Sequence, residues 1–191
     1  MSKGRLEAFS DGVLAIILTI MVLELKVPEE GDLAALIPLA PKFLSYVLSF
    51  IYVAIYWNNH HHLWQAARVV TGPILWANLH LLFWLSLIPF VTGWMGENNF
   101  AQLPVLFYGI VLIMAALAYY LLTRALLANH EKDSALAIAI GNDFKGRISL
   151  VLYAAAILLS YVNPLLALAI YTGVAVMWFI PDQRIEKTLR S

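Results

Sequence analysis

The sequence predicts an all-α integral membrane protein with six transmembrane helices, and three observations lead to this fold class. Of the 191 residues, 62% are hydrophobic and 13% are charged, whereas soluble domains carry roughly 45–50% apolar and about 25% charged residues. The mean hydropathy is +0.79. The apolar residues also form six runs near the length of about 20 residues that a membrane-crossing helix needs.

We interpret these runs as the spans of a single domain covering residues 1–191, with bounds near 6–27, 39–64, 73–95, 103–127, 147–162 and 165–181. Asn163-Pro164 separates the last two, because proline restricts the residue before it and cannot continue a helix. One long bent helix is the alternative there, but residues 147–181 are too long for a single crossing. Between spans four and five, the stretch "SALAIAI" is interpreted as a short amphipathic segment at the interface.

The distribution of lysine and arginine predicts the orientation. With both termini in the cytoplasm, ten of these residues lie inside and only Lys26 and Lys42 lie outside. Cytoplasmic loops carry the excess of positive charge in membrane proteins. We therefore expect a multi-pass protein of the cell (plasma) membrane, surrounded by lipid, with cytoplasmic termini.

The first span carries a regular apolar stripe. Its members are spaced 4, 3, 4, 3 and 4 residues apart and are Phe9, Val13, Ile16, Ile20, Leu23 and Val27. This spacing predicts a helix that packs along its length against another helix or against copies of itself. Thr19 lies about 60° to one side of Ile16, whereas Asp11 lies about 140° away from it. Asp11 is therefore expected to face other helices of its own subunit.

Ser10 and Asp11 lie near the start of this span, and two interpretations of them remain open. In the first, they cap a helix that begins at Gly12. That helix would be about 24 Å long, which is shorter than the hydrocarbon core of about 30 Å. In the second, which we favour, the helix begins near Arg5, and Asp11 is buried about 9 Å further in.

A buried aspartate needs hydrogen-bonding partners, and residues at a similar depth in the next two spans are the candidates. His60 lies about 12 Å from the expected cytoplasmic end of span two, and His80 lies about 10 Å from that of span three. We expect one layer of helix-anchoring residues that contains Ser10, Asp11, His60, Trp76, Asn78 and His80. The other tryptophans, including Trp57 and Trp64, are interpreted as residues of the interfacial belt.

Several kinds of chemistry are not expected. Successive helix positions point about 100° apart, so His60-His61-His62 cannot bind one ion and we expect no metal. A proton relay from Asp11 to a histidine is the alternative, because histidine titrates near neutral pH. The sequence has no cysteine, P-loop or nucleophile elbow. We therefore expect neither an enzyme nor a cofactor or nucleic-acid partner.

Two segments carry a resemblance to a known family. "RLEAFSDGVLAIILTI" resembles the R-x-x-x-F-S-D motif that opens the first helix of the lysosomal potassium channel family and its prokaryotic relatives, with Arg5, Phe9, Ser10 and Asp11 as the motif residues. "YWNNHHHLW", residues 56–64, is similar to the aromatic and histidine-rich end of span two in that family.

The resemblance implies a channel that favours K⁺ modestly over Na⁺ and has no TVGYG-type carbonyl filter. It implies a homotetramer of six-helix chains in which the first helix of each subunit lines the pore. The hydrophobic constriction of the family corresponds to Ile16, and Thr19, Ile20 and Leu23 would line the next layers. K⁺ and other monovalent cations would then be permeant ions, and the motif residues would hold the pore helix against spans two and three.

Two other functions remain open from the sequence. A proton-coupled secondary transporter would use Asp11 and a membrane histidine as its coupled site. Transporters commonly show inverted repeats and broken helices near the midplane. We see neither in the sequence, where Pro38, Pro73, Pro104 and Pro164 lie at span ends and only Pro89 lies within a span. A membrane scaffold that does not conduct ions is the third possibility.

Overall fold

The computed structural model describes residues 2–67, 69–129, 137 and 143–179, and the described part is helical. Its α-helices are α1 (Lys3–Leu23), α2 (Ala40–Ala66), α3 (Gly72–Ser86), α4 (Ile88–Glu97), α5 (Gln102–Leu127), α6 (Phe144–Ser160) and α7 (Pro164–Phe179), and a 3₁₀ helix, Ala34–Leu39, precedes α2. The all-α prediction is confirmed. By length and composition, four segments of the described residues are able to cross a membrane, namely Lys3–Leu23, Ala34–Gln65, Gly72–Glu97 and Gln102–Leu127. Pro164–Phe179 is apolar but shorter.

The start of α1 decides between the two interpretations of Ser10 and Asp11. The helix begins at Lys3, with Ser2 as its N-cap residue, and continues through both positions. Its 21 residues span about 31 Å, which matches the hydrocarbon core. The capping interpretation is therefore wrong. The helix ends at Leu23, so Val27 lies beyond it and is not part of the helical stripe.

The third predicted span, 73–95, is a broken helix and not a continuous one. Its two parts, α3 and α4, meet at Leu87, and Pro89 lies in the first turn of α4. Proline has no N–H to donate to the carbonyl four residues before it, and its ring clashes with that carbonyl. The Val91 N–H then donates to the Leu87 carbonyl at 3.2 Å, so the helical hydrogen bonding resumes after the break.

The last two helices form a hairpin. α6 ends at Ser160 and α7 begins at Pro164, and the two helices pack against each other. The Asn163 side chain accepts a hydrogen bond from the Leu165 N–H at 2.8 Å, which stabilises the turn. The alternative of one long bent helix is therefore wrong. The predicted amphipathic segment 134–140 lies outside the described residues apart from Ala137, and residues 180–181 of the sixth predicted span also lie outside them.

The core divides the bundle into two sides. α1 packs against α2, α3 and α4, whereas α6 and α7 pack together against α5 on the other side. Buried tyrosines fill the space between α2, α5, α6 and α7, and the Tyr52 hydroxyl donates to the Tyr171 carbonyl. Near the end of α4, Gly96 touches α2 so closely that an added Cβ would lie 2.8 Å from the Lys42 Cα. This arrangement leaves one face of α1 at the edge of the bundle.

Candidate pore-lining face of the first helix

The two faces of α1 differ sharply in exposure. The residues on one face are between 0% and 3% exposed and pack against the rest of the subunit, and they are Leu6, Ser10, Leu14, Ile17 and Met21. Ile16 is 58% exposed and Leu23 80% exposed, while Phe9 and Ile20 are also exposed and Val13 is half-buried. The apolar stripe therefore lies outside the subunit core, and within the described residues this face of α1 is left open.

Thr19 lies on the exposed side of α1, together with Ile16. Its hydroxyl donates back into its own helix, at 2.9 Å from the Ile16 carbonyl and 3.1 Å from the Ala15 carbonyl. Because a hydroxyl oxygen keeps two acceptor lone pairs, the Thr19 oxygen can still accept a contact from outside the helix.

The opposite face of α1 is joined to two other helices by a buried polar network. The Ser10 hydroxyl donates to the Leu6 carbonyl at 2.9 Å and accepts from the Asn78 side-chain N–H at 3.0 Å. His60 Nε2 lies 2.7 Å from Asn78 Oδ1 and 2.7 Å from the indole nitrogen of Trp64. The contact with Asn78 Oδ1 requires a proton on Nε2, whereas the contact with the Trp64 indole requires Nε2 to accept. One ring nitrogen cannot do both at once, so the two contacts favour different tautomers of the imidazole. All four side chains are buried.

Asp11 lies outside this network. Within the subunit it is exposed, and it accepts a hydrogen bond from the Trp57 indole on α2 at 3.0 Å. The expectation that it is buried beside a histidine is wrong, because one step from Ser10 turns the side chain by about 100°, past the edge of the buried face. The His61 ring stacks on Trp57 with centroids 6.2 Å apart, and its Nδ1 lies 4.0 Å from a Glu7 carboxylate oxygen.

Trp76 and His80 also lie outside the expected layer. Trp76 is 75% exposed, and His80 accepts a hydrogen bond from the Trp84 indole of its own helix at 2.9 Å. Both are two residues from the buried Asn78, which is about 200° around a helix. They therefore face away from the network when Asn78 faces it, and this angular relation was already present in the sequence.

The sequence interpretation missed the contacts of two tryptophans, and it expected Arg5 to help anchor the helix. Trp64, interpreted as a belt residue, is fully buried and bonded to His60, and Trp57 is the partner of Asp11. The spacing of four between His60 and Trp64 was the available signal, because residues four apart share a helix face. Arg5 is exposed near the N-terminal end of α1. Within the described residues, no cluster of three or more histidine or acidic side chains could hold a metal ion.

Comparisons with known proteins agree with this architecture. A family model described as "Endosomal/lysosomal potassium channel TMEM175" matches residues 5–89, which comprise nearly all of α1 to α3 and the start of α4. A potassium channel of Chryseobacterium sp. (strain P1-3) is 57% identical over 190 residues, covering 100% of this chain and 99% of the relative. The chain belongs to the TMEM175 family.

A solved structure extends the likeness to the whole fold. The crystal structure of a lysosomal potassium-selective channel TMEM175 homolog from Chamaesiphon minutus matches with a TM-score of 0.80 and 28% identity, covering 93% of this chain and 96% of that one. The endosomal/lysosomal proton channel TMEM175 of Homo sapiens is 34% identical over 116 residues, which are 54% of this chain and 23% of the human protein. As a member of this family, the chain is a multi-pass membrane protein with an all-helical channel fold, and it is an ion channel, not an enzyme.

Proposed function

We propose that the chain forms a passive, potassium-selective cation channel in the cell membrane, built as a homotetramer with α1 of each subunit lining the pore. The observation that carries the proposal is the exposure of Ile16, Ile20 and Leu23 on a helix whose opposite face is buried in its own subunit. An apolar face along a whole helix is unusual unless lipid or another copy covers it. Relatives are named as potassium channels, and a channel needs a path for ions. We therefore favour cover by other copies around a central axis, and not by lipid, for this face of α1.

Four Ile16 side chains around such an axis would form a narrow apolar ring. An apolar ring gates by dewetting, and ions pass it only after losing part of their water shell. Because K⁺ holds its water less tightly than Na⁺, the ring favours K⁺ to a modest degree. Thr19, one turn further out, supplies hydroxyl oxygens that replace part of the lost water.

The motif residues would keep the lining helix in position. Ser10 bonds to Asn78 of α3, and Asp11 bonds to Trp57 of α2, so two consecutive residues attach α1 to two different helices. In this proposal, ions pass along the face that carries Ile16, and Ser10 and Asp11 hold the helix without contacting them. Arg5 lies at the cytoplasmic entrance, in keeping with cytoplasmic termini.

The decisive experiment is reconstitution of the purified chain into liposomes with a potassium gradient. We expect passive K⁺ flux that follows the electrochemical gradient. In the Ile16→Asn variant, the ring becomes wider and wetter, so conductance should rise and the K⁺/Na⁺ permeability ratio should fall towards one. Val176→Asn is the matched control, because Val176 is exposed on α7, whose main packing partners are α2, α5 and α6.

Other outcomes would reject the proposal. If Ile16→Asn conducts and selects as the native chain does, Ile16 is not the constriction. Saturable flux coupled to protons would favour a transporter, although the buried His60 is bonded to Asn78 and not to a carboxylate. No flux from correctly assembled protein would favour a scaffold. Chemical cross-linking in the membrane tests the tetramer separately from conduction.

A further inference from the structure

Two polar side chains on the flank formed by α1 and α2 are exposed at a depth where lipid tails would surround them. Asp11 lies about 12 Å from the start of α1, and Asn58 lies about 12 Å from the end of α2. Both are exposed on the subunit. Asp11 also lies about 140° from Ile16 and so does not face the proposed pore. Because polar groups that face hydrocarbon without partners are costly, lipid is a poor cover for this flank.

Both side chains keep free acceptor positions. One Asp11 carboxylate oxygen accepts from the Trp57 indole at 3.0 Å, and a carboxylate has about four acceptor positions in all. The Asn58 amide has no hydrogen-bond partner among the described residues. The flank of α1 and α2 therefore offers oxygen acceptors to whatever covers it.

The outer face of α3 carries free donors. Trp76 is 75% exposed, and its indole N–H has no acceptor within the part of the chain that the structure describes. His80 Nε2 accepts from the Trp84 indole at 2.9 Å, so the proton of the neutral ring is on Nδ1 and that N–H is free to donate. Trp76 and His80 are four residues apart and share one face of the helix.

The contact between α1 and α3 gives the relative depth of these groups. The Asn78 amide donates to the Ser10 hydroxyl at 3.0 Å, which places the two residues at one level. Asp11 is one residue beyond Ser10, about 1.5 Å along the helix, while Trp76 and His80 lie about 3 Å to either side of Asn78. The acceptor on α1 therefore lies at a level between the two donors on α3.

A second contact gives the depth of Asn58. His60 Nε2 lies 2.7 Å from Asn78 Oδ1, so these residues of α2 and α3 also share a level. Only five residues, 67–71, join the two helices, which therefore run in opposite directions. Asn58 and His80 are each two residues, about 3 Å, on the same side of that level. A rotation about an axis along the membrane normal keeps every depth unchanged, so groups at one level can meet between subunits.

We propose that the α1–α2 flank of one subunit docks against the outer face of α3 of the next copy. Asp11 then accepts from Trp76 of the neighbouring copy, and Asn58 accepts from His80 of that copy. The inference rests on the proposed function, since only a shared axis brings copies together at one depth. Acceptors on one face and donors on another make a head-to-tail contact, which closes into a ring, whereas a two-fold contact of the flank with itself would oppose two carboxylates.

Introduced cysteines test this contact, because the chain has none of its own. Asn58→Cys and His80→Cys in one chain should give a ladder up to the tetramer on non-reducing gels after oxidation in the membrane with copper phenanthroline. Each variant alone should stay monomeric, since the contact joins two different faces. Asn58→Cys with Val151→Cys is the matched control and should give no ladder, because Val151 is exposed on α6, about 10 Å from the start of that helix.

A second measurement tests the predicted hydrogen bond. Trp76→Phe keeps an aromatic ring but removes the N–H, and it should raise the dissociation constant of the tetramer in detergent several-fold. Tyr161→Phe is the control, because Tyr161 is exposed in the turn between α6 and α7 and also loses one donor. In an Asp11→Ala background, Trp76→Phe should have no further effect. An equal effect in both backgrounds would reject the pairing, and if Asp11→Ala does not assemble, the cysteine pair decides.

Leu23→Cys alone separates failure of this inference from failure of the proposed function. Leu23 is 80% exposed near the end of the apolar stripe, so copies around the proposed pore should form disulfide-linked dimers. Such dimers without a ladder from the Asn58→Cys/His80→Cys pair would reject the flank contact and leave the shared axis in place. An equal ladder from the control pair, or dimers from Asn58→Cys alone, would also reject it. Absence of both cross-links and of K⁺ flux would reject the tetramer and the flank contact together.

Discussion

Replacing Ser10 by alanine tests whether the buried network holds α1 against α3. Ser10 and Asn78 are both 0% exposed, and the Asn78 amide donates to the Ser10 hydroxyl at 3.0 Å. The substitution removes only the hydroxyl, so one buried N–H loses its partner. The Leu6 carbonyl loses little, because it still accepts the helical N–H of residue 10.

The expected cost follows from these contacts. An unpaired buried donor costs about 1–3 kcal/mol, but interhelical hydrogen bonds in membranes average only about 0.6 kcal/mol, with a maximum near 1.7. We therefore expect Ser10→Ala to lower the free energy of unfolding by about 1 kcal/mol, which is about a fivefold change in the equilibrium constant. The fully buried position supports a value above the membrane average.

Reversible unfolding by sodium dodecyl sulfate in mixed micelles, followed by tryptophan fluorescence, measures this change. Ser86→Ala is the matched control, since Ser86 is exposed and its hydroxyl bonds only to the Phe83 carbonyl of its own helix. A double-mutant cycle with Asn78→Ala should give a coupling energy of about 0.5–1 kcal/mol. If Ser10→Ala costs no more than Ser86→Ala and the coupling is zero, the network does not anchor α1.

Three further predictions use the same preparation. Gly96→Ala should destabilise the protein by about 1–3 kcal/mol, because the added Cβ would meet the α2 backbone. Gly93→Ala should be neutral or stabilising, because its Cβ would meet only a Glu24 side chain at 3.4 Å. Opposite signs in detergent unfolding check this pair. Trp57→Phe removes the donor to Asp11 but should cost less than about 1 kcal/mol in unfolding, since exposed hydrogen bonds contribute little; a cost above that of Ser10→Ala would contradict this ranking. Thr19→Ala should lower the K⁺/Na⁺ permeability ratio in bilayer recordings while K⁺ conduction persists, and an unchanged ratio would exclude a role for the hydroxyl.

Much of the candidate site could be predicted from composition and from the spacing of residues along the chain. The apolar composition predicted a membrane protein, and the 4, 3, 4, 3 spacing of Phe9, Val13, Ile16, Ile20 and Leu23 predicted one continuous helix face. The Asn163-Pro164 turn was also predictable, since proline acts on its immediate neighbours. These features depend on residues within a few positions of each other. On a helix, such spacing fixes the direction in which each side chain points around the axis.

The contacts between side chains of different helices were harder to predict from the sequence. Matching residues by depth brought Ser10, Asn78 and His60 together, but it also added Trp76 and His80, because depth along a helix carries no information about rotation around its axis. The burial of Asp11 failed for the same reason. Side chains about 100° apart on one helix can meet different neighbours, as Ser10 meets Asn78 and Asp11 meets Trp57.

The sequence by itself therefore determined the fold class, the approximate spans and the apolar stripe of α1, because each follows from composition and local periodicity. Only the tertiary structure decided which face of α1 the subunit leaves uncovered and which of the three adjacent histidines is fully buried. It also decided that Trp64 belongs to the core and that Pro89 divides the third span into two helices. These outcomes depend on how each helix is rotated against its neighbours, and that rotation is set by packing between residues far apart in the chain.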